Sequence, residues 1–249
     1  ASKQPTAAHN FGYGRERYFW SFVVALVLFS LGSLFAIFEG IEKLRHPHEL
    51  ESPAIAIGIL LIAVALEGWS FRTAIAESRP LKGDLSWWQF IQRAKQPELP
   101  VVLLEDFGAL TGLAFALVAV SLTVVTDNST WDALGTIMIG TLLGVIAVVL
   151  AVEMKSLLIG EAATASDVDG IRSAIERQPS ALRLIHLRTE HLGPEQILVA
   201  AKIAFVPGLT IETLAVSIDE VEAAIRADVP AATLIYIEPD LYRDADAVL

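Results

Sequence analysis

Cysteine is absent from the chain of 249 residues, and charged residues make up only 19% of it. Without cysteine the chain can form neither a disulfide framework nor a thiolate metal site, so any metal must be held by Asp, Glu, His or backbone oxygen. Soluble domains are typically about 45–50% apolar and about 25% charged, whereas 54% of this chain is hydrophobic. The composition therefore indicates a membrane protein.

The sequence signatures of common enzyme sites are also absent. Gly12 and Gly14 lie near basic residues, but no strand is predicted before them and no Gly-Lys-Ser/Thr follows, so they do not form a phosphate loop. No Ser-His-Asp arrangement, no general acid and base paired in a soluble cleft and no dinucleotide-binding fingerprint is visible. We therefore expect neither an enzyme nor a bound cofactor.

The chain opens with ASKQPTAAHNFGYGRER, which is polar and lacks both an initiating Met and an apolar run behind a basic start. It is not a secretory signal, and it is typical of a sequence that begins inside a longer chain. The net charge of −11 is concentrated in the last third of the chain. This charge argues against nucleic acid as a partner and favours a soluble acidic domain at the C-terminus.

Four apolar stretches are each long enough to cross roughly 30 Å of hydrocarbon as a helix, which takes about 20 residues. They are residues 18–41, 54–76, 99–125 and 131–158. Basic residues cluster before the first stretch, between the second and third, and after the fourth. Because Lys and Arg near span ends favour the cytoplasm, both termini of this multi-pass chain are predicted to be cytoplasmic. The loop between the second and third spans predicts a short amphipathic helix on the surface of the lipid bilayer.

After residue 160 the hydrophobic runs become shorter and hydrophobic residues alternate with polar ones. This pattern predicts a two-layer α+β domain. Ser166 is predicted to cap its first helix and Thr210 its second. Three alternating segments predict strands, namely residues 181–191, 196–206 and 232–239. A turn at Gly193–Pro194 joins the first two of these strands. The predicted order is α-β-β-α-β.

Glu105 and Asp106 lie inside the third span, where an ionisable group costs about 2.5–3.5 kcal/mol on insertion scales. Asp106 is about seven residues into the span, roughly 10 Å from its cytoplasmic end. Glu105 shares a stripe with Gly108 and Gly112, a pair that lets another helix approach closely. We predict that the two acids form an oxygen-rich metal site, because charge at membrane depth is functional by default. The alternative is a polar contact at the inner end of the helix.

Other ionisable residues are weaker candidates. Glu67, in the second span, is followed by Arg72, and a structural ion pair or a polar contact with a neighbouring helix is favoured over a role in proton handling or metal entry. His46 and His48 in the outer loop could bind metal transiently, but we expect no stable site in so short a segment.

Several segments resemble the cation diffusion facilitator family. HNFGYGRERYFW is similar to the loop before that family's third transmembrane helix, LEDFGALTG to its fifth helix, WDALGTIMIGTLLGVIAVVLAVEMKSLLIGEAA to its sixth, and IHLRTEHLGP to the first hairpin of its tail. FEGIEKLRHPHEL and LEGWSFRTAIAES look closest to the branch that includes a mitochondrial zinc transporter and bacterial relatives. The four spans then match family helices three to six, and the first two helices are missing from the chain as given.

The resemblance implies a helical transmembrane bundle with a ferredoxin-like cytoplasmic tail, assembled as a homodimer. It assigns residues 1–160 to a partial cation-efflux domain and 161–249 to a tail that dimerises. The implied activity is export of zinc or a similar divalent ion from the cytoplasm in exchange for protons, with the bacterial inner membrane as the expected location and the mitochondrial inner membrane as the alternative. Asp106 matches the aspartate of the family's His-x-x-x-Asp motif, whereas Val102 stands at the histidine position, which should weaken discrimination for zinc.

Members of this family often bind extra zinc in the tail. The positions of this chain that match those ligands are Ile185, Ala201, Val216, Tyr236 and Glu238. His186 and His191 are five apart in an alternating segment, which puts them on opposite faces of a strand. We therefore expect apolar packing, not metal, to hold a tail dimer. The alternative function, from another class, is a non-transporting membrane scaffold or sensor whose tail binds a ligand.

Overall fold

A computed structural model describes residues 5–47 and 52–243. His48 falls outside the described residues, so the histidine pair from which no stable metal site is expected, His46 and His48, is described only in part. The chain divides into two compact units, of which one is Phe19–Lys155 and the other consists of the segments on either side of it.

Five helices precede the tail in the part of the chain that the structure describes. They are α1 (Glu16–Arg45), α2 (Pro53–Lys82), α3 (Trp87–Arg93), α4 (Glu98–Thr126) and α5 (Thr130–Ile159). All except α3 are long and apolar enough to cross a membrane. Each of these four helices contains one predicted span and extends beyond it, so the predicted spans are confirmed. A helix satisfies every backbone polar group within itself, which is what hydrocarbon requires. The chain is a multi-pass integral membrane protein.

Helix α3 confirms the short helix predicted between the second and third spans. Ser86 Oγ accepts a hydrogen bond from Gln89 N at 3.2 Å, and Gln89 Oε1 accepts one from Ser86 N at 3.0 Å. This capping box satisfies two backbone donors that the start of a helix leaves open. Phe90 is buried against Ala74 of α2 and Leu103 of α4. The two tryptophans that begin α3 are exposed, as is typical of a helix at a membrane–water interface.

Glycines bring the long helices close together. At Gly140 of α5 an added Cβ would lie 2.7 Å from Ile37 Cγ1 of α1, and at Gly108 of α4 it would lie 2.6 Å from Ile146 Cδ1 of α5. An added Cβ at Gly112 would lie 3.7 Å from Ile139 Cγ2 of α5, an ordinary contact distance, so the predicted close helix approach is confirmed at Gly108. Helix α5 therefore contacts both α1 and α4, while α2 packs along α4.

The tail has the predicted α-β-β-α-β order. Its elements are α6 (Ala165–Glu176), β1 (Ala181–Gly193), β2 (Gln196–Phe205), α7 (Ile211–Asp228) and β3 (Ala232–Asp240). The strands form one sheet in the order β1-β2-β3, with β1 antiparallel and β3 parallel to the central strand β2. The chain therefore combines four long apolar helices with a C-terminal α/β domain.

The two helix starts in the tail test the predicted caps. Thr210 Oγ1 accepts a hydrogen bond from Thr213 N at 3.3 Å, so this predicted cap of α7 is confirmed. The predicted cap of α6 is wrong. Thr164 Oγ1, not Ser166, accepts the hydrogen bond, from Asp167 N at 3.2 Å. Thr164 has the extended backbone that a cap needs, whereas Ser166 already lies within the first helical turn.

Alternate residues of β2 form the centre of the tail core, because successive side chains of a strand point to opposite faces. The buried set is Ile197, Val199, Ala201 and Ile203. These residues belong to one hydrophobic cluster with Ile171 and Ile175 of α6 and with Val221 and Ile225 of α7. Both tail helices therefore cover the same face of the sheet.

Candidate metal centre

Asp106 is buried among the membrane helices, with 8% of its surface exposed. Helix α4 carries it, and the adjacent helix α2 supplies a partner: Ser70 Oγ donates a hydrogen bond to Asp106 Oδ2 at 3.1 Å. An ionised carboxylate has two acceptor oxygens. With Oδ2 engaged by Ser70, Oδ1 can accept a proton or a cation.

The neighbours of Asp106 on α4 have different environments. Glu105 is exposed, and Val102 is 44% exposed. Each step along a helix turns the side chain by about 100°, so adjacent residues face different surroundings. On the stripe of α4 that was predicted to face another helix, Gly108 and not Glu105 makes the close contact with α5. Asp106 therefore lies within the helix packing, whereas Glu105 lies at its surface.

Helix α2 adds a second carboxylate to this region. Glu67 precedes Ser70 by three residues, so the two share one face of α2. Glu67 is half-buried and interacts electrostatically with Asp106 and Glu105. Within the described part of the chain it forms no ion pair with Arg72, which is exposed. Of the two roles predicted for Glu67, the ion pair with Arg72 is wrong because five residues correspond to about 140° around a helix. The other, a polar contact with a neighbouring helix, stays a prediction.

No three His, Asp or Glu side chains within residues 5–47 and 52–243 are grouped so that they could hold a metal ion. Zinc in proteins usually has four ligands, with carboxylate oxygens at about 2.0–2.2 Å. Asp106 can supply one such oxygen, and a complete site needs further ligands. Oxygen ligands alone also suit manganese or another hard divalent ion.

A charged cluster that the sequence analysis did not predict joins α1 to α5 at one end of the bundle. Lys43 Nζ lies 3.1 Å from Glu39 Oε1 and 3.0 Å from Asp132 Oδ2. The Glu39–Lys43 spacing of four residues is a sequence signal for a pair within a helix, but the contact with Asp132 has no such signal. Just past the end of α1, His46 Nδ1 lies 2.8 Å from Glu42 Oε1 of that helix.

Residues 1–159 match the family model of the cation efflux transmembrane domain. The chain belongs to the cation efflux family. Three curated relatives are similar to most of this chain. The proton-coupled zinc antiporter SLC30A9, mitochondrial, of Xenopus laevis is 31% identical over 209 residues, which cover 82% of this chain and 37% of the relative. Its Homo sapiens counterpart is 28% identical over 204 residues, covering 81% and 36%. Metal tolerance protein C4 of Arabidopsis thaliana is 29% identical over 208 residues, covering 82% and 45%.

The chain spans less than half the length of these curated relatives. The family consists of transporters, so the expectation that the chain is not an enzyme is confirmed. The similarity to the mitochondrial SLC30A9 proteins also confirms the predicted branch of the family. Among solved structures, one MamM-CTD variant is 23% identical, with a TM-score of 0.30, and covers 32% of this chain and 100% of that chain. A second variant is 26% identical, with a TM-score of 0.29, and covers 31% and 92%.

In this member of the cation efflux family the two tail histidines lie on opposite faces of β1, as predicted. His186 pairs with Lys202 of β2, and His191 pairs with Ile197, whose side chain is part of the core. His191 is buried, and its Nδ1 lies 3.3 Å from Gly193 O. The sheet therefore keeps the two imidazoles from sharing one ligand.

Lys202 joins the two carboxylates near the end of β3. Its Nζ lies 3.0 Å from Glu238 Oε1 and 3.1 Å from Asp240 Oδ2. Hydrogen bonds to Glu238 and Asp240 raise the pKa of Lys202. The Leu241 N–H and then Lys202 lower the pKa of Asp240. Glu238 stands at a position that matches a metal ligand in the tails of family members. The Lys202 ammonium group neutralises the Glu238 carboxylate and repels a divalent ion there.

The segment before α1 packs against the β1–β2 hairpin within the same compact unit. Arg15 forms an ion pair with Glu190 of β1. Gly14 lies so close to the carbonyl of Leu192 that a Cβ would overlap it. The glycine that the sequence analysis rejected as part of a phosphate loop therefore serves close packing.

Proposed function

We propose that the protein is a secondary transporter that exports a divalent cation, zinc, from the cytoplasm in exchange for protons. The observation that carries this proposal is the buried Asp106 within the helix bundle of a cation efflux family chain. Burying a carboxylate at membrane depth is costly, and such groups mark ion and proton pathways. The relatives named proton-coupled zinc antiporters support both zinc and proton as substrates.

Exchange follows from the chemistry of one carboxylate. A cation binds the deprotonated form of Asp106, so the cation and the proton compete for the same oxygen. Release of one on either side of the membrane then permits loading of the other. Ser70 donates a hydrogen bond to Asp106 Oδ2, so Oδ1 is the freer oxygen for this competition. In the proposed cycle, helices rock about the site to give alternating access, and the tail holds two protomers together as a homodimer.

The proposed ligand set is rich in oxygen. Asp106 is its central member and Glu105 a supplementary one at the helix surface. Val102 provides no metal-binding atom where the family motif has histidine. We propose zinc as the main substrate with manganese as its competitor, since carboxylate oxygens serve both ions. The proposed location is the bacterial inner membrane with both termini cytoplasmic, in line with the distribution of basic residues; the mitochondrial inner membrane is the alternative.

Zinc flux into proteoliposomes tests the proposal. The full-length protein and its Asp106→Asn and Asp127→Asn variants are reconstituted with an imposed pH gradient, and uptake of radioactive zinc is followed. Asp127 is the exposed residue that ends α4 in a left-handed conformation, which Asn also tolerates. We expect Asp106→Asn to abolish gradient-driven uptake and Asp127→Asn to retain it. Undiminished uptake by Asp106→Asn would remove Asp106 from the site, and uptake that ignores the pH gradient would reject antiport.

A further inference from the structure

Ser70 uses its hydroxyl differently from six other hydroxyl residues of the membrane helices. Ser and Thr within a helix commonly donate to the carbonyl four residues earlier. Thr73, Ser121, Thr123, Thr126, Thr136 and Thr141 all do so. Ser70 donates instead to Asp106 Oδ2, across the contact between α2 and α4.

The surroundings of Asp106 give this bond its importance. Glu67 and Glu105, the other carboxylates that act electrostatically in this region, accept hydrogen bonds when ionised and donate none. The Ser70 hydroxyl therefore supplies the donor that fixes the orientation of the Asp106 carboxylate. We infer that Ser70 is a positioning residue that sets the cation preference of Asp106, an inference that rests on the proposed function.

The preference follows from how freely each carboxylate oxygen can bind the cation. The Ser70 hydrogen bond takes one lone-pair position of Oδ2, which makes Oδ1 the better ligand oxygen and favours monodentate binding by Asp106. A small ion such as zinc, with oxygen at about 2.0–2.2 Å, is served by one oxygen. A larger ion, with oxygen ligands at about 2.3–2.6 Å, is readily bound by both oxygens of one carboxylate. The Ser70 hydrogen bond thus favours the smaller ion.

The test compares transport of zinc and of the larger cadmium ion by the full-length protein in proteoliposomes. The variants are Ser70→Ala, which removes the hydroxyl, Ser70→Thr, which keeps it, and Ser78→Ala as a matched control. Ser78 is on the same helix and is buried, and its Oγ has no hydrogen-bond partner among residues 5–47 and 52–243. Loss of a group that orients a metal ligand typically costs about 10–100-fold in affinity.

We expect Ser70→Ala to raise KM for zinc by roughly 10–100-fold and to lower the ratio of zinc to cadmium transport. Ser70→Thr should restore the wild-type ratio, and Ser78→Ala should leave it unchanged. Because a general packing defect would affect both ions alike, the ratio separates positioning from a structural role. If Ser70→Ala does not fold, Ser70→Val, which has the shape of Thr but no hydroxyl, should lower the ratio in the same direction.

Two results would overturn the inference. The first is an unchanged zinc-to-cadmium ratio in Ser70→Ala or, where that variant does not fold, in Ser70→Val. The second is a Ser70→Thr ratio as low as that of Ser70→Ala, which would show that the hydroxyl is not responsible. With either result, loss of flux in Asp106→Asn would leave the proposed function standing. Full flux in Asp106→Asn would reject both the proposed function and the role of Ser70.

Discussion

The contact between α1 and α5 leads to a quantitative prediction for Gly140→Ala. A Cβ at position 140 would lie 2.7 Å from Ile37 Cγ1, 2.9 Å from Ile37 N and 3.0 Å from Ser33 O. Two of these three atoms belong to the backbone, so rotation of a side chain cannot relieve the overlap. The helices must move apart, which also weakens the bond from Ser33 Oγ to Gly140 O, now 2.7 Å long.

Gly58→Ala on α2 is the matched control, because a Cβ there meets no atom within 4 Å. Both variants gain about 0.8–1.0 kcal/mol of helix propensity, so this gain cancels in the comparison. Overpacking costs about 1–3 kcal/mol, and an interhelical hydrogen bond in a membrane protein contributes about 0.6 kcal/mol. The two variants should therefore differ by roughly 1.5–3.5 kcal/mol in free energy of unfolding.

Thermal unfolding in detergent measures this difference. One kcal/mol shifts the Tm of a protein of this size by about 2–4 °C, so Gly140→Ala should unfold roughly 3–14 °C below Gly58→Ala. Wild-type protein should lie between the two variants or close to Gly58→Ala. Equal Tm values for the two variants would refute the close α1–α5 contact.

Two further predictions concern the tail in the full chain, followed by hydrogen exchange. Thr164→Ala should destabilise α6 by about 1 kcal/mol through loss of its cap, whereas Ser166→Ala should change little; equal effects would contradict the observed cap. The raised pKa of Lys202 makes its contribution to stability present below about pH 10.4 and lost as pH rises through the folded-state pKa. The lowered pKa of Asp240 makes its contribution present above about pH 3.9 and lost as pH falls through the folded-state pKa. Protection of the β3 amides against hydrogen exchange should therefore decline at both high and low pH, and Lys202→Met should remove the decline at high pH. An unchanged decline at high pH in that variant would contradict the role assigned to Lys202.

The elements of the fold were predictable because each has a strong local signal. The four spans are long apolar runs, and β2 alternates buried and partly exposed residues along its length. The cap of α6 was misplaced because Thr164 and Ser166 are both good caps, and the choice depends on which residue has extended backbone. Neighbouring cap candidates of equal propensity cannot be separated without the tertiary structure.

The candidate site was predictable only in part. Asp106 was identified by its charge inside an apolar span, since such a residue stands out in the sequence. Ser70 gave no signal, because a single serine in a membrane helix is common and its partner is on another helix. The pair expected between Glu67 and Arg72 failed because sequence proximity does not place residues on the same helix face. Contacts between helices decide what each of these side chains meets.

The central claim is that Asp106 exchanges a divalent cation for protons, and zinc-driven proton movement tests it most directly. Vesicles that contain the full-length protein and a pH-sensitive dye receive a zinc gradient with no imposed pH gradient. The account predicts that zinc entry changes the internal pH in wild-type vesicles and in Asp127→Asn vesicles, and that Asp106→Asn abolishes the change. Zinc entry without a pH change, or a full pH change in Asp106→Asn, would contradict it.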